Sequence, residues 1–203
     1  MSEPAIGIIV LAAGASSRMG QPKQLLHYEG ETLLNRAIRV GLEAQCGPVI
    51  VVLGSDAETL QEAIAASRAR IVVNQAWAEG MSSSIRCGLR ELEAATGDKT
   101  DAAIFMLCDQ PLITSVIVRH LVDAYDSRRA LLVASEYEAG GEKTRGVPAL
   151  FSRTLFPELM ELRGVEGAKR VIARHAAEAT VIAIPEAAFD VDTADDYRAL
   201  QDV

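Results

Sequence analysis

Small residues and two cations follow the first apolar run of the chain. The segment 11–26, LAAGASSRMGQPKQLL, contains Gly14 and then Arg18 and Lys23. Small side chains let main-chain amides approach a phosphate closely. An arginine donates to two phosphate oxygens at once, whereas a lysine acts as a point charge. The segment predicts a cradle for a triphosphate, with an ordinary small-residue turn and two solvated cations as the alternative.

Two better-known phosphate motifs are absent from this segment. The sequence contains no GxxxxGK[ST] pattern, so the segment is not a Walker A loop. A dinucleotide fingerprint, GxGxxG, needs a second glycine two places after Gly14, where Ser16 stands. The predicted cradle is therefore neither a P-loop nor a dinucleotide-binding loop.

Acidic residues stand at the ends of two predicted extended segments. Asp109 ends an apolar run in LCDQP, and Asp192 alternates with Asp190 in FDVDTADDY. Mg²⁺ usually takes one or two carboxylates together with phosphate oxygens and waters. These positions predict a Mg²⁺ site at Asp109, with Asp192 as a second ligand. The alternative is a turn aspartate before Pro111, together with acidic residues that favour the start of a helix capped by Thr193.

A third polar segment, NQAWAEGMSSSIRCGL (74–89), separates a predicted strand from a predicted helix. Gly80 can bring backbone close to a flat ligand, and the serines from Ser82 to Ser84 offer hydroxyls and amides at a helix start. This pattern is typical of a site for a nucleobase or an anion, with simple N-capping by serine as the alternative. Trp77, the sole tryptophan, either stacks on a ligand or fills an apolar gap.

A regular alternation of strands and helices positions these segments. Apolar runs predict strands at 5–12, 48–54, 70–74, 102–109, 130–137 and 179–185. Helical periodicity predicts helices at 32–45, 56–66, 82–95, 113–125, near 152–162 and 166–176, and from 193 onward. The alternation implies a parallel sheet covered by helices on both faces, in a single domain over 1–203. Ligands bind such sheets beyond the carboxyl ends of the strands, where the polar segments fall.

The stretch between the fifth strand and the last helices is less regular. The polar segment 138–146, EAGGEKTRG, is expected to be a turn or a mobile loop. The apolar segment that follows, VPALF (147–151), is expected to form a short edge strand. Lys143 and Arg145 are expected to be solvated within the loop.

Composition excludes several classes of protein. The chain has 203 residues and a formal net charge of -8, which disfavours general nucleic-acid binding because that affinity depends on phosphate neutralisation. The three cysteines form no CxxC pair, so neither a disulfide framework nor a zinc knuckle is expected. No signal peptide and no apolar run long enough to span a membrane are present. These features predict a cytoplasmic protein with reduced thiols.

Together the motifs resemble those of the MobA-like NTP transferase family. The segments that carry the resemblance are 11–26, 74–89, LCDQP, RGVPALF and DVDTADDY, which are spread over nearly the whole chain in the family's order. The resemblance implies an α/β fold, namely a three-layer αβα Rossmann-like nucleotidyltransferase fold with a mostly parallel mixed sheet. It also implies a Mg²⁺-dependent enzyme.

The resemblance also implies a role for individual residues. It implies catalytic roles for Arg18, Lys23 and Asp109, and metal binding by Asp109 and Asp192. The nucleotide would be bound by Leu11, Ala12, Ala13, Gly14, Arg18, Lys23, Gly80, Ser82 and Ser84. The acceptor side would be formed by Gln110, Pro111, Gly146 and Pro148.

The reaction implied by the resemblance is transfer of CMP from CTP to the phosphate of molybdopterin, with release of pyrophosphate. The chain has LAAG where the guanylyl-transferring branch tends to have LAGG, and the methyl group of Ala13 is expected to restrict a purine. The alternatives are a transferase that uses GTP or a sugar or polyol phosphate acceptor, and a non-catalytic carrier of the molybdenum cofactor. A molybdenum hydroxylase is the candidate recipient of the product.

Overall fold

A computed structural model describes residues 5–97 and 99–202, in which strands and helices alternate along most of the chain. The strands are β1 (Ile6–Ala12), β2 (His27–Tyr28), β3 (Glu31–Thr32), β4 (Val49–Leu53), β5 (Arg70–Val73), β6 (Ala102–Leu107), β7 (Leu132–Ala139), β8 (Glu142–Ser152) and β9 (Thr180–Ala183). The α-helices are α1 (Leu33–Ala44), α2 (Ala57–Ala63), α3 (Met81–Thr96), α4 (Ser115–Arg128), α5 (Phe156–Glu161), α6 (Ala168–Arg174) and α7 (Ala194–Leu200).

Seven strands form one twisted sheet in the order β5-β4-β1-β6-β8-β7-β9. All adjacent pairs are parallel except the two that involve β8, which runs antiparallel to β6 and to β7. The expected mostly parallel mixed sheet is thereby confirmed. The chain leaves β1 toward β4 and β5 on one side and returns to β6 on the other. This reversal opens a crevice beyond the carboxyl ends of β1 and β6.

Helices cover both faces of the sheet, so the expected three-layer architecture is confirmed. Alternate side chains of β1 point to opposite faces, as the two-residue period of a strand requires. On one face Ile8 and Val10 pack in a core that includes buried residues of α1, α2 and α4. On the other face Ile9 and Leu11 pack in a core built from α3, α5 and α6.

The stretch 138–146 was expected to be a turn or mobile loop, and this expectation is wrong for most of its length. β7 continues to Ala139 and β8 begins at Glu142, so the stretch is largely a β-hairpin. Its turn is formed by Gly140 and Gly141, whose φ angles of 62° and 80° suit a tight two-residue turn. The polar composition concealed the strands because this part of the hairpin extends past the residues that pair with β6.

The segment 147–151 does not form an edge strand either. It belongs to the C-terminal half of β8, which lies inside the sheet between β6 and β7. Val147, Ala149, Leu150 and Phe151 are all buried, in agreement with a strand that is covered on both faces. None of the helices among the described residues is long and apolar enough to cross a membrane.

Candidate active site

The buried side chain of Gln24 fixes the backbone of the loop after β1 by hydrogen bonds. Its amide nitrogen donates to the carbonyl oxygens of Ala12 (3.0 Å) and Gly14 (2.8 Å). Its amide oxygen accepts from the Ser16 hydroxyl, which in turn accepts from the backbone NH of Lys23. Because these bonds use carbonyl groups, they leave backbone amides of the loop free to face an anion. The loop therefore has the construction that phosphate binding requires.

Lys23 lies at the centre of the charges in the crevice. Its Nζ is 2.5 Å from Asp109 Oδ2 and 2.7 Å from Asp192 Oδ1. Burial alone would lower the pKa of the Lys23 ammonium, but the two carboxylates outweigh this effect and raise the pKa above its ordinary value. Arg18 is largely exposed and its Nη1 lies 3.6 Å from Asp192 Oδ2. The structure thus brings together the two cations and two carboxylates that the sequence singled out.

The packing of the C-terminal helix brings Asp192 to this place. Leu26 and Leu33 pack with Val191 and Leu200 in a small apolar cluster beside the loop. Thr193 caps α7, and its side chain and the Asp196 carboxylate form reciprocal bonds with the backbone, as the sequence predicted for Thr193.

The residues around Asp109 fit a divalent cation. Asp109 Oδ1 is buried and has no hydrogen-bond partner, although its other oxygen binds Lys23. A buried carboxylate oxygen without a partner is costly unless a ligand satisfies it. Within the described part of the chain, no group of three or more acidic, histidine or cysteine side chains forms a ready metal cage. A cation bound here would therefore draw further ligands from substrate phosphates and water, as Mg²⁺ commonly does.

A third aspartate, Asp190, lines the same crevice. The atoms packed around its carboxyl desolvate it, and the charges of Asp109 and Asp192 add to this effect, which raises the pKa of Asp190 to about 6. A hydrogen bond from Gln110 opposes the rise. Asp190 therefore carries less than a full negative charge near pH 6, which limits its repulsion of an anionic ligand.

The segment after β5 forms the opposite wall of the crevice. Gly80 and Ser84 line the cavity, and Gly80 has a φ of 111° that favours glycine. A Cβ at Gly80 would lie 2.5 Å from the carbonyl oxygen of Gly164, so the glycine is required by a backbone contact. Ser82 is fully buried and its hydroxyl donates to the same carbonyl at 2.8 Å. Of the predicted serines, Ser84 is thus the one whose position faces the cavity.

Asn74 organises this wall, and sequence analysis did not identify it. Its amide nitrogen donates to the hydroxyls of Ser83 (2.8 Å) and Ser84 (3.0 Å), and its oxygen accepts from the NH of Ala76. Trp77, which follows, is about a third exposed and lies on the cavity wall rather than in the core. The position of Asn74 directly after an apolar strand was the available signal, as it was for Gln24 after the cationic segment.

The crevice has a volume of about 460 Å³ and contains the predicted nucleotide-binding positions Leu11, Ala12, Ala13, Gly14, Lys23, Gly80 and Ser84 among its lining residues. A larger hollow of about 590 Å³ lies against α1 and the end of α2. It contains neither the phosphate loop nor the strand ends. We therefore take the smaller cavity as the candidate active site.

The predicted acceptor-side residues lie where β6 ends beside β8. The side-chain nitrogen of Gln110 donates to the carbonyls of Val147 (3.3 Å) and Ala187 (3.0 Å), which ties three segments together. Pro111 is buried, and its carbonyl accepts from Arg36. Gly146 and Pro148 are buried in β8, and the Pro148 carbonyl accepts from the Ser135 hydroxyl.

Comparison with known proteins agrees with this geometry. Residues 8–179 match the model of the MobA-like NTP transferase domain. The chain belongs to this family. It is a nucleotidyltransferase of the MobA-like type by fold and by sequence, as the motifs predicted.

Individual relatives within the family carry different names. The chain is 32% identical over 173 residues to nicotine blue oxidoreductase of Paenarthrobacter nicotinovorans. The aligned region covers 84% of this chain and 82% of that protein. It is 26% identical over 194 residues to molybdenum cofactor cytidylyltransferase of Escherichia coli strain K12. Here the aligned region covers 95% of this chain and 94% of that protein.

A solved structure from Mycobacterium tuberculosis H37Rv has the same fold. The protein Rv0371c superposes with a TM-score of 0.83 and 31% identity over 100% of both chains. A second structure of Rv0371c was solved as a complex with manganese, and it superposes with a TM-score of 0.79 and 30% identity over 97% of this chain and 98% of that chain. A structural relative of this chain thus binds a divalent cation.

Proposed function

We propose that this protein transfers CMP from CTP to the terminal phosphate of molybdopterin and releases pyrophosphate. One observation carries the proposal. The Lys23 ammonium meets the carboxylates of Asp109 and Asp192 directly beside a loop that is braced to present backbone amides. Cations, carboxylates and free amides at one point are what a triphosphate with its metal ion needs.

The nucleotide would lie along the loop after β1. Backbone of Leu11, Ala12, Ala13 and Gly14 would line its path, and Arg18 and Lys23 would bind its phosphates. Gly80 and Ser84 would contact the base, while buried Ser82 would act by holding that wall in place through its bond to Gly164. Arg18 is free to move onto a phosphate because most of its side chain is exposed.

The reaction depends on positioning and on charge neutralisation. Both reactants are anions, and the attacking phosphate is already ionised at neutral pH, so no general base is needed. Lys23 and Arg18 would stabilise the charge of the departing pyrophosphate. Asp109 and Asp192 would hold Mg²⁺, which neutralises charge on the transferred phosphate when it is bound.

Selection of CTP over GTP would rest on the width of the crevice near Ala13. Ala13, Gly54 and Trp77 pack closely together. A Cβ at Gly54 would lie within 2.8 Å of the Ala13 carbonyl oxygen, of the Ala13 methyl group and of Trp77 Cβ. We infer that the methyl group of Ala13 leaves less room for a purine than a glycine would at this position, which supports the choice of CTP.

The acceptor would enter from the side of Gln110, Pro111, Gly146 and Pro148. The three cysteines are free thiols, which supports the proposed cytoplasmic location. A molybdenum hydroxylase remains the proposed recipient of the product.

The test is pyrophosphate release by the purified protein with Mg²⁺ and molybdenum-loaded molybdopterin, comparing CTP, GTP and ATP. We expect release with CTP, and we expect Lys23→Ala and Asp109→Ala to abolish it while the fold survives. Release with GTP alone would overturn the choice of base. If no pyrophosphate is released with any of the three nucleotides and the protein turns over nicotine blue, the transferase proposal is replaced by the activity named for the Paenarthrobacter relative.

A further inference from the structure

A second, basic hollow lies beside the candidate acceptor side. It has a volume of about 440 Å³ and is formed by the β7–β8 hairpin and α6. Its charged lining residues are Lys143, Arg145, Lys169 and Glu136. Three cations thus face a single carboxylate in a chain whose formal net charge is -8. Such a local excess of positive charge attracts anions in an otherwise acidic protein.

Two of the cations share one counter-ion. Lys143 Nζ lies 3.2 Å from Glu136 Oε1, and Arg145 Nε lies 3.4 Å from Glu136 Oε2. Hydrogen bonds from these cations lower the pKa of the Glu136 carboxyl, so it is ionised at neutral pH. A further nitrogen of Arg145 donates to the Ala176 carbonyl at 2.9 Å, which fixes the direction of the guanidinium. One carboxylate therefore neutralises only half of the charge of this pair.

Lys169 is held against an aromatic ring. Its ammonium lies over the ring of Tyr137, 5.7 Å from the ring centre. The Asp190 carboxyl interacts with the same charge from the side of the crevice. A Cβ at Gly146 would lie 3.0 Å from Lys169 Cε and 2.5 Å from the Tyr137 hydroxyl, so the missing side chain makes room for both. An ammonium fixed in this way remains free to bind an anion.

The hollow adjoins the crevice through Lys169 and Gly146. Lys169 packs against Gly146, which the sequence placed on the acceptor side. Gly146 precedes Val147, whose carbonyl accepts from Gln110 at the end of β6. A molecule that lies against Gln110 and Gly146 thus has the basic hollow within reach.

We propose that Lys143, Arg145 and Lys169 form an oxyanion site that takes the negatively charged, molybdenum-loaded end of the acceptor rather than the phosphate that reacts. The part played by the acceptor rests on the proposed function, whereas the oxyanion site itself does not. The planar guanidinium offers directed donors and the two ammonium groups add charge, a combination that suits phosphate-like or carboxylate oxygens. These residues act as positioning residues, because they lie outside the group around Lys23.

A titration with inorganic phosphate tests the site without requiring turnover. Backbone amide NMR signals of Gly146 and Ala173 are followed in the wild-type chain and in Lys169→Met, which keeps an apolar stem on Tyr137. We expect a saturable shift in the wild type and about tenfold weaker binding in the variant. Lys99→Met, an exposed lysine elsewhere that removes the same charge, is the matched control and should bind phosphate as the wild type does.

Glu136→Gln provides a test in the opposite direction. Removal of this carboxylate frees Lys143 and Arg145 without deleting a cation, so phosphate binding should become several-fold tighter. Absence of a saturable shift in the wild type would overturn the oxyanion site. Equal weakening by Lys99→Met and Lys169→Met would overturn it as well, because the effect would then be one of net charge.

Steady-state kinetics test the link with the acceptor. In Lys169→Met the KM for molybdopterin should rise about tenfold while the KM for CTP stays the same. Lost phosphate binding with an unchanged KM for molybdopterin would overturn the acceptor role and indicate a free anion as the ligand. Absence of any transfer in the wild type, with phosphate binding that depends on Lys169, would contradict the proposed function and still support the site.

Discussion

At the scale of single residues, Lys23 determines the charge balance of the crevice. Its ammonium lies between two carboxylates and is mostly shielded from solvent, as is Asp109. Without a ligand, it occupies oxygens that a divalent cation would also use. A divalent cation at the proposed site would therefore compete with Lys23, and binding of triphosphate would relieve this competition by drawing the ammonium onto the phosphates.

Lys23→Met should separate metal binding from catalysis. With the ammonium removed, Asp109 loses its ion pair and Asp192 keeps only that with Arg18, so we expect Mn²⁺ to bind about tenfold more tightly in the absence of nucleotide. CMP transfer should be lost in the same variant. Free Mn²⁺ measured by electron paramagnetic resonance gives the affinity. Arg18→Met removes the same charge from an exposed position and should change the affinity less; weaker binding in Lys23→Met would refute this account.

Gln24→Leu tests the brace under the phosphate loop. The substitution leaves the Ala12 and Gly14 carbonyls without their donor. Ala12 is buried, and a buried unsatisfied group costs about 1–3 kcal/mol, whereas Gly14 is exposed and water can replace the lost bond. We expect a lower free energy of unfolding in urea together with a higher KM for CTP. Gln201→Leu, at an exposed glutamine near the C-terminus, serves as control. A variant with lower stability but an unchanged KM would show that the loop keeps its shape without Gln24.

At the scale of elements, the start of α3 at Gly80 depends on backbone contacts. Gly80 combines a positive φ with close approach to the backbone of Gly164. Gly14, in the phosphate loop, has open space where a Cβ would be. The two glycines of the crevice therefore serve different physical purposes: Gly80 permits close packing, and Gly14 leaves space open in the loop.

Substitution of these glycines by alanine should separate stability from activity. Gly80→Ala forces a methyl group against a carbonyl at a φ that disfavours alanine, so we expect a loss of about 1–3 kcal/mol in unfolding free energy. Gly14→Ala should change the stability by less than about 0.5 kcal/mol and yet reduce transfer, because the methyl group faces the phosphates. Chemical denaturation and pyrophosphate release measure the two effects. Equal stability of both variants would contradict the role given to Gly164.

Sequence patterns predicted most elements because their signals are local. The run AIGIIVLA predicted β1, and Thr32 does cap α1 by accepting from the NH of Asn35. The hairpin over 138–146 was missed because its strands lack the apolar alternation that marks a half-buried strand. The interior position of β8 depends on pairing with β6, which no local pattern reveals. Likewise, the inward bond of Ser82 depends on Gly164, a residue 82 positions away.

At the scale of the whole molecule, the crevice joins distant parts of the chain. Lys23 and Asp192 are separated by 169 positions in sequence, and their contact is supported by the apolar cluster around Val191. The two large cores on either face of the sheet make the rest of the described chain one packed unit. Loss of either core is thus expected to remove the crevice as well.

The cysteines offer a test of this cooperativity. Burial raises the pKa of the Cys46 thiol to about 11, and it raises those of Cys87 and Cys108 as well. Since the thiolate is the reactive form, Cys46 in the native protein at pH 8 should react with a disulfide reagent roughly a hundredfold more slowly than a free thiol, and the other two thiols should also react more slowly. All three thiols should become reactive together at the denaturant concentration of unfolding. Early reaction of one thiol would reveal local opening instead.

The inverted strand β8 has a consequence for the newly made chain. Because β8 lies between β6 and β7, these two strands do not pair with each other. The edge of β6 therefore stays unpaired until the β7–β8 hairpin has formed. That edge carries the apolar residues Ala102–Leu107 and offers a template to any other unfinished chain. A tight turn at Gly140 and Gly141 lets the hairpin form quickly from neighbouring residues. Rapid hairpin formation thereby shortens the interval in which the chain is prone to aggregate.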